Sequence, residues 1–496
     1  MKKNINQLPD EKECKEILNS QRKLSLQSFA NLKNISEISP LTQEIMSRQA
    51  TINIGTFGDN FKGKTTLVQS LSESNISRPK AEKEPERIKE KEKNISQNFG
   101  YINVKLYKCK KCQEPECYKS YNSETDDELK CKICGSKQVL IRHICFVDEP
   151  EFKIKMLKIL NGSLIIDGAL LFIAANENCD IQENDNNKEK NEFLLNSILK
   201  NIIIIQNKID TVMKYNTAKE QYEQIKKYAN NKNAPNSPII PISAQLKYNL
   251  DVVIQYLSLI PIPKRDFISP PKFAIIHSFD CNYQSEDVYI NNNLNNKTGM
   301  IYGLIFRGIL KLGEQIEIRP GICIRVSNKE IKINPITTKI VSLQAEKNNL
   351  IYAITGGIIN VGLKIDPLLC RGNILDGNIV GLPDKMEEMF IKIVIKCHLL
   401  RRLLIVNKKE WGKHVKYVTE IKKGEILLLN IGFVAVGGFV TKIEGNNNDE
   451  ITFLLKKPVC CEISEKVAIS RKIGFSWRII GWGEVISDGE ENINIT

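Results

Sequence analysis

The segment Gly58-Asp-Asn-Phe-Lys-Gly63-Lys64-Thr65 constrains the fold more than any other, because it fits the phosphate-binding pattern G-x-x-x-x-G-K-[ST]. It follows Ala50–Gly55, whose alternating pattern predicts a strand, and leads into Thr65–Ser72, whose spacing predicts a helix. In such a loop, glycines let backbone N–H groups turn towards phosphate, Lys64 supplies a cation and the Thr65 hydroxyl can bind magnesium. The candidate phosphate-binding residues are Gly58, Asp59, Asn60, Gly63, Lys64, Thr65 and Thr66.

A second motif, Asn207-Lys208-Ile209-Asp210, indicates which base is bound. It follows the apolar run Ile202–Gln206, so we expect it at the carboxyl end of a parallel strand, where open α/β sheets bind ligands. The Asp210 carboxylate can accept hydrogen bonds from N1–H and the 2-amino group of guanine, and adenine has no matching donor pair. Ser243-Ala244 should add a backbone N–H near guanine O6. The candidate GTP- or GDP-binding residues at this end are Asn207, Lys208, Asp210, Ser243, Ala244 and Gln245.

Five of the fourteen cysteines fall between Cys109 and Cys134. Cys109-x-x-Cys112 and Cys131-x-x-Cys134 are separated by 18 residues, a spacing typical of a tetrahedral zinc site made by two knuckles. Four sulfur ligands would fill the coordination shell, so the predicted role of the zinc is structural. Cys117 is a spare thiol that could replace one ligand. Four thiols without metal remain the alternative.

The distribution of apolar segments predicts three domains. Apolar strands alternate with helical segments up to the proline-rich stretch Ile260–Pro263, which indicates a mostly parallel sheet covered by helices. Beyond it, short segments rich in Ile, Val and Phe with glycine turns predict antiparallel β barrels. We therefore expect an α/β P-loop GTPase domain with a zinc-knuckle insertion, followed by two antiparallel β-barrel domains. The predicted boundaries are a flexible leader at 1–47, the GTPase domain at 48–262 with its knuckle at 109–134, and barrels at 263–383 and 384–496.

The 496 residues include 71 Lys and Arg against 58 Asp and Glu, a net charge of +13, and 42% of them are hydrophobic. This composition excludes disorder over the whole chain. The longest apolar stretch, Met156–Ala175, is interrupted by polar residues, so no membrane span is expected. The amino terminus lacks the apolar core of a secretory signal, which predicts a cytoplasmic protein without a membrane partner.

The sequence segments around these motifs resemble those of the gamma subunit of translation initiation factor two. The resemblance covers about residues 37 to 490. The segments that carry it are Ile38–Gly55, Gly100–Lys108, Gln206–Asp210, Pro241–Asn249, Pro261–Phe267, Ile318–Gly321, Lys339–Leu343, Gly362–Pro367, Leu399–Leu404 and Trp477–Trp482.

This resemblance implies a GTPase that carries initiator methionyl-tRNA to the small ribosomal subunit. It also implies a heterotrimer with alpha and beta subunits, the alpha subunit on the second domain and the beta subunit on the GTPase domain, and implies GTPase-activating and nucleotide-exchange factors as partners. In the family the methionylated end of the tRNA lies between the first two domains. The basic excess suits an RNA partner but would not by itself identify one.

The second switch departs from the family pattern Asp-x-Pro-Gly-His, because the chain has Asp148-Glu-Pro-Glu151-Phe152. Asp148 remains to hold magnesium through water, together with Thr65 and with Ser96, which stands where the family has threonine. Asp148 and Ser96 are the candidate catalytic residues. Glu151 adds negative charge near phosphate and Phe152 cannot orient a water molecule, so we expect weakened hydrolysis.

Two alternatives to a working carrier remain. One is a degenerate, non-hydrolysing GTPase domain that assembles the factor or binds RNA. The other, an elongation factor, is disfavoured by the zinc knuckle and by the carboxyl-terminal strings.

Overall fold

The computed structural model of the chain describes residues 16–18, 23–32, 35, 38–58, 61–73, 100–148, 165–176, 201–212, 215–230, 236–280, 298–325, 331–401, 417–445, 449–473 and 476–488. Several residues singled out by the sequence lie outside these ranges: Asp59, Asn60, Ser96, Glu151 and Phe152. Within them, no helix has both the length and the apolar character needed to cross a membrane.

The GTPase domain is built on a seven-stranded sheet in the order β3-β2-β4-β1-β5-β6-β7. The pairs β1–β4, β1–β5, β5–β6 and β6–β7 are parallel, whereas β2 pairs antiparallel with β3 and β4, so the sheet is mostly parallel as predicted. The strands are β1 Ile52–Phe57, β2 Gly100–Cys109, β3 Tyr118–Asn122, β4 Gln138–Asp148, β5 Gly168–Ala174, β6 Ile202–Asn207 and β7 Ile239–Pro241. Every residue of β1 and β6 is buried, as expected of strands covered on both faces.

Four α-helices are described, and two of them have clear sequence origins. The helix after the phosphate loop begins directly after Gly63, whose φ of +84° is readily adopted by glycine. The last helix buries Leu250, Val253, Ile254 and Leu257, the spacing of an apolar helical face. The helices are α1 Gln43–Met46, α2 Lys64–Ser72, α3 Tyr215–Asn230 and α4 Leu250–Leu259, with short 3-10 helices at Phe29–Leu32, Ile209–Thr211 and Pro367–Asn373.

The second domain is a closed antiparallel barrel. Strand β11 pairs with both β12 and β16, which closes the ring β11-β16-β8-β9-β15-β12. Its strands are β8 Lys272–Asp280, β9 Gly299–Arg307, β10 Leu310–Lys311, β11 Gln315–Arg325, β12 Ile331–Ala345, β13 Asn348–Asn349, β14 Tyr352–Ala353, β15 Ile359–Leu363 and β16 Ile379–Gly381.

The third domain is a second closed barrel, in the order β17-β20-β19-β18-β21-β22. Its strands are β17 Met389–Leu399, β18 Ile426–Ile431, β19 Val434–Glu444, β20 Glu450–Cys460, β21 Lys466–Ile473 and β22 Ser476–Asp488. Each of the three domains has its own buried apolar cluster, so the predicted fold class is confirmed.

The GTPase domain and the first barrel are in close backbone contact. The Asn53 side-chain amide donates to the Gly356 carbonyl at 3.0 Å, and the Gln49 side chain bonds both the N–H and the carbonyl of Ile354. A Cβ added to Gly356 would lie 2.2 Å from the carbonyl oxygen of Ala50, so no larger residue fits there without a shift. These contacts join the amino end of β1 to the barrel.

The described parts of the segment predicted as a flexible leader pack against the folded domains. Leu18, Leu32 and Ile45 are buried together with apolar residues of the first barrel. The Gln27 side chain accepts from the Ile351 N–H at 2.9 Å and donates to the Tyr352 carbonyl. Because the segment is mostly polar, its packing through a few apolar side chains could not be predicted from the sequence.

Candidate functional site

Two glycines give the phosphate loop its shape. Gly58 has a φ of +126° and lies so close to β5 that a Cβ would be 2.6 Å from the Phe172 carbonyl oxygen. Gly63 has a φ of +84°, and a Cβ there would be 2.3 Å from Nδ2 of Asn207. The Lys64 ammonium donates to the Gly58 carbonyl at 2.9 Å, which joins the two ends of the loop. The described ends of the loop thus have the glycine conformations that a phosphate-binding loop needs.

The hydroxyl and carboxylate expected to hold magnesium lie next to each other. Thr65 Oγ1 donates to Asp148 Oδ2 at 2.8 Å, which connects the start of α2 to the end of β4. Thr56 Oγ1, at the end of β1, donates to the other carboxylate oxygen, also at 2.8 Å. Hard oxygen ligands of this kind are what magnesium prefers, so the pair fits the ion. Thr56 was not predicted as a site residue, because its only signal in the sequence is a hydroxyl near the carboxyl end of a buried strand.

Asn207 connects the phosphate loop to the base-recognition loop. Its side-chain amide donates to the Lys62 carbonyl at 2.9 Å, and its side-chain oxygen accepts from the Ala244 N–H at 3.1 Å. Asn207 is 2% exposed, so both bonds are shielded from water. The Ser70 hydroxyl adds a bond to the Ala244 carbonyl at 3.0 Å, from α2. The sequence-predicted residues of both loops thus form one connected structure.

The remaining base-site candidates lie at the surface of the same edge. Asp210 lies in the 3-10 helix after Lys208, whose φ of +64° turns the chain out of β6, and its side chain is exposed. Gln245 is exposed as well. Ser243 and Ala244 differ from expectation, because their N–H groups bond Tyr248 and Asn207 within the protein. A contact from this loop to guanine O6 stays a prediction.

The four cysteines of the predicted zinc site come together at the far end of β2. Their sulfur atoms all lie within 4.8 Å of one another, with Cys109 and Cys134 at 3.3 Å and Cys112 and Cys131 at 3.7 Å. Sulfurs bound at about 2.3 Å to a tetrahedral zinc are about 3.8 Å apart, so the arrangement fits that metal.

Hydrogen bonds favour the thiolate at two of the four sulfurs, whereas burial raises the pKa of Cys112. The Ser136 hydroxyl, followed by the backbone N–H groups of Lys111 and Cys112, lowers the pKa of Cys109 to about 5. Backbone N–H groups also lower the pKa of Cys131. Cys117 is outside this group of sulfurs: it is 1% exposed in the apolar core, and burial raises its pKa. Its proposed role as a substitute ligand therefore has no support from its position.

Two family models match the chain at its two ends. Residues 49–262 match the elongation factor Tu GTP binding domain, and residues 391–485 match the carboxyl-terminal domain of initiation factor eIF2 gamma. These matches cover the GTPase domain and most of the second barrel.

Full-length relatives are similar along nearly the whole chain. The chain is 42% identical over 456 residues to "Eukaryotic translation initiation factor 2 subunit gamma" of Schizosaccharomyces pombe, covering 91% of this chain and 97% of that protein. It is also 42% identical over 469 residues to "Eukaryotic translation initiation factor 2 subunit 3" of Drosophila melanogaster, covering 94% of each.

Solved structures of selenocysteine elongation factors share the fold. The SelB factor of Methanococcus maripaludis in complex with the GTP analogue GppNHp has a TM-score of 0.54 at 20% identity, covering 89% of this chain and 80% of that one. A bacterial selenocysteine-specific factor has a TM-score of 0.56 at 15% identity, covering 88% and 58%. At these identities the likeness shows the fold alone.

Proposed function

The chain belongs to the family of the gamma subunit of eukaryotic translation initiation factor 2, and from this premise we propose that it carries initiator methionyl-tRNA to the small ribosomal subunit in its GTP-bound form. As a member of that family it is a GTP-binding subunit of a translation initiation factor. The tRNA, the ribosomal subunit and the nucleotide dependence are the parts that we propose.

One observation carries the nucleotide part of this proposal. Asn207 bonds the Lys62 carbonyl and the Ala244 N–H, so a single buried side chain joins the loop for phosphate to the loop for base. A nucleotide that spans both loops would find them already fixed relative to each other, which lowers the entropy lost on binding. The Asp210 carboxylate at the rim of the same edge supplies the preference for guanine.

Each loop has a distinct role in holding the ligand. Gly58, Gly63 and Lys64 would bind the phosphates, and Thr65 with Asp148 would hold magnesium. Magnesium would neutralise phosphate charge and fix the orientation of the terminal phosphate. Lys64 would exchange its bond to the Gly58 carbonyl for phosphate oxygens, because an ammonium bonds an anion more strongly than a neutral carbonyl.

We further propose that hydrolysis is slower than in family members with an intact second switch. Glu151 and Phe152 replace the Gly-His pair in the sequence, and both lie outside the described residues. A carboxylate there repels the terminal phosphate, and a phenyl ring cannot orient the attacking water. These residues are also what favours the second candidate, a scaffold that binds GTP without hydrolysing it.

The partners follow from family membership. We propose alpha and beta subunits as the companions in a heterotrimer, with GTPase-activating and nucleotide-exchange factors acting on the GTPase domain, all in the cytoplasm. The net charge of +13 supports an RNA ligand through neutralisation of phosphates.

Binding of initiator methionyl-tRNA by the trimer, measured with GTP, GDP and ATP, tests the carrier proposal. We expect the tightest tRNA binding with GTP. Asp210→Asn should lose guanine selectivity, because hydrogen bonds to a charged acceptor contribute about 2 to 3 kcal/mol. Equal tRNA affinity with GTP and ATP in the unmodified protein would refute the carrier assignment.

Single-turnover hydrolysis tests the proposal for the second switch. The double variant Glu151→Gly with Phe152→His should hydrolyse GTP roughly a hundredfold faster, the usual size of one preorganised contact. If the double variant binds GTP normally and is no faster, the switch does not limit the chemistry. If neither the unmodified chain nor the double variant hydrolyses GTP at a measurable rate while the factor still assembles, the scaffold function is favoured.

A further inference from the structure

The zinc knuckle carries exposed lysines that have no ion-pair partner in the described part of the chain. Lys110 and Lys111 lie within the first knuckle, Lys132 lies within the second, and Lys130 directly precedes Cys131. These four residues are called the knuckle lysines. Neighbouring lysines that do have carboxylate partners show the contrast, since Lys108 bonds Glu114 at 2.6 Å and Lys137 bonds Glu128 at 3.3 Å. Because the four sulfurs lie within 4.8 Å of one another, the two knuckles hold these lysines close together.

The arrangement is electrostatically unfavourable for the protein by itself. Lys130 and Lys137 pair across an antiparallel bridge, where like charges are destabilising, and Glu128 offsets only the charge of Lys137. A zinc ion with four thiolates would carry a charge of −2, since +2 and −4 sum to −2, and the exposed Glu116 adds −1. Together they would offset three of the four knuckle lysines, so a positive charge of about +1 remains at the tip.

Ile133 adds an apolar contact at the same place. Ile133 stands between Lys132 and Cys134 in the sequence, and its side chain is 62% exposed. Val139, on β4 next to the knuckle, is also exposed, at 39%. Two separate side chains do not form the apolar groove that a peptide helix requires.

The knuckle is firmly supported by the GTPase domain. The Gln255 side chain on α4 donates to Glu114 at 3.1 Å, and the Cys109 N–H donates to the Cys117 carbonyl at 2.9 Å. Cys109, Cys117 and Cys131 are all part of the domain core. The lysines are thus displayed on a fixed platform.

The knuckle also lies far from the nucleotide site. Cys109 pairs with Gln138 at the start of β4, and Asp148 is at the other end of that strand. Ten residue steps of about 3.3 Å separate these ends by about 33 Å. Substitutions at the knuckle should therefore leave nucleotide binding unchanged.

We propose that the knuckle lysines and Ile133 form a binding surface for the phosphate backbone of RNA. Ammonium groups without protein partners suit phosphates, which they contact as point charges with release of counterions. Ile133 would contact a ribose or base at the centre of the lysines. The surface requires no step of GTP chemistry, so its failure and the failure of the carrier proposal are distinguishable.

A variant with all four knuckle lysines replaced by alanine tests the surface, with a labelled RNA duplex of about 20 base pairs as the probe for the full chain. We expect affinity to fall at least about tenfold and the slope of log K against log salt to decrease by about 3. Ile133→Ser should weaken binding without changing that slope, because it removes no charge.

The matched control replaces four exposed lysines of the last barrel, Lys422, Lys423, Lys456 and Lys457. It should bind RNA as the unmodified chain does. GDP affinity and bound zinc should be unchanged in both variants, which shows that the knuckle has folded. Equal loss in both variants, or no loss in the knuckle variant, would overturn the proposal. Displacement of the RNA by a polyglutamate peptide at equal charge would reassign the surface to an acidic protein.

Discussion

Replacing Asn207 by alanine should separate nucleotide binding from the rest of the fold. The side chain bonds the Lys62 carbonyl at 2.9 Å and the Ala244 N–H at 3.1 Å while being 2% exposed. Losing a partner costs a buried polar group about 1 to 3 kcal/mol, so the two bonds together are worth about 2 to 6 kcal/mol.

Part of this loss should appear in binding, because the nucleotide must then order two loops that Asn207 holds together in the unmodified protein. If all of it appears there, GDP affinity falls by about thirtyfold to about ten-thousandfold. The rest should appear as a lower midpoint of thermal unfolding. Titration with a fluorescent GDP analogue and thermal unfolding of the nucleotide-free protein measure the two parts separately.

Asn201→Ala is the matched control, because Asn201 precedes the amino end of the same strand. Its side-chain amide donates to the Asp167 carbonyl at 3.0 Å, far from the phosphate loop. It should lower stability by about 1 kcal/mol and leave GDP affinity unchanged. If Asn207→Ala stays folded and binds GDP within about threefold of the unmodified chain, the two hydrogen bonds that join the loops do not contribute to binding.

Two further predictions concern metal and pH. Elemental analysis of the purified chain should find about one zinc per chain. The double variant Cys109→Ser with Cys131→Ser should contain no zinc, whereas Cys117→Ser should retain it. Burial raises the pKa of Glu346, which accepts from the Asn103 N–H, to about 8 from an ordinary 4.5. Its neutral form therefore contributes stability that is full below pH 4.5 and lost as pH rises through 8. Glu346→Gln should then stabilise the protein by up to about 3 kcal/mol at pH 7 and by little at pH 4.5, and equal gains in thermal unfolding at both pH values would contradict this.

The sequence revealed the ligand-binding motifs because their chemistry depends on residue type and spacing. Gly58 and Gly63 are needed because a Cβ at either position would collide with neighbouring atoms. The four cysteines at knuckle spacing do come together in the structure. Hydrogen bonds from a side chain to backbone atoms cannot be recognised from the sequence in this way. The Lys62 carbonyl and the Ala244 N–H that Asn207 bonds could not be identified from residue types, since any residue provides them.

The antiparallel ribbon of the GTPase domain was harder to predict for a different reason. Strand β3, Tyr118–Asn122, contains Lys, Ser and Asn and lacks an apolar run, because most of its residues are only half-buried. The cysteine knuckles flank β3 on both sides and fix its pairing with β2, because the Cys109 N–H bonds the Cys117 carbonyl at the start of the ribbon. Long-range contacts, and not local propensity, therefore determine this edge of the sheet.

The antiparallel direction of β2 has a consequence for the switches. Gly100 at the start of β2 pairs with Asp148 at the end of β4, and Thr65 bonds Asp148 from α2. The segment that precedes Gly100 and the segment that follows Asp148 therefore join the sheet at one place, beside the candidate magnesium ligands. The barrel contacts of Gln49 and Asn53 lie at the amino end of β1, away from that place. The first barrel also reaches this place, because Tyr101 and Val147 pack in one apolar cluster with Tyr302 of the barrel. Substitutions in the second switch should accordingly change hydrolysis and could shift this part of the barrel interface, whereas the zinc knuckle, at the other end of β4, should stay intact.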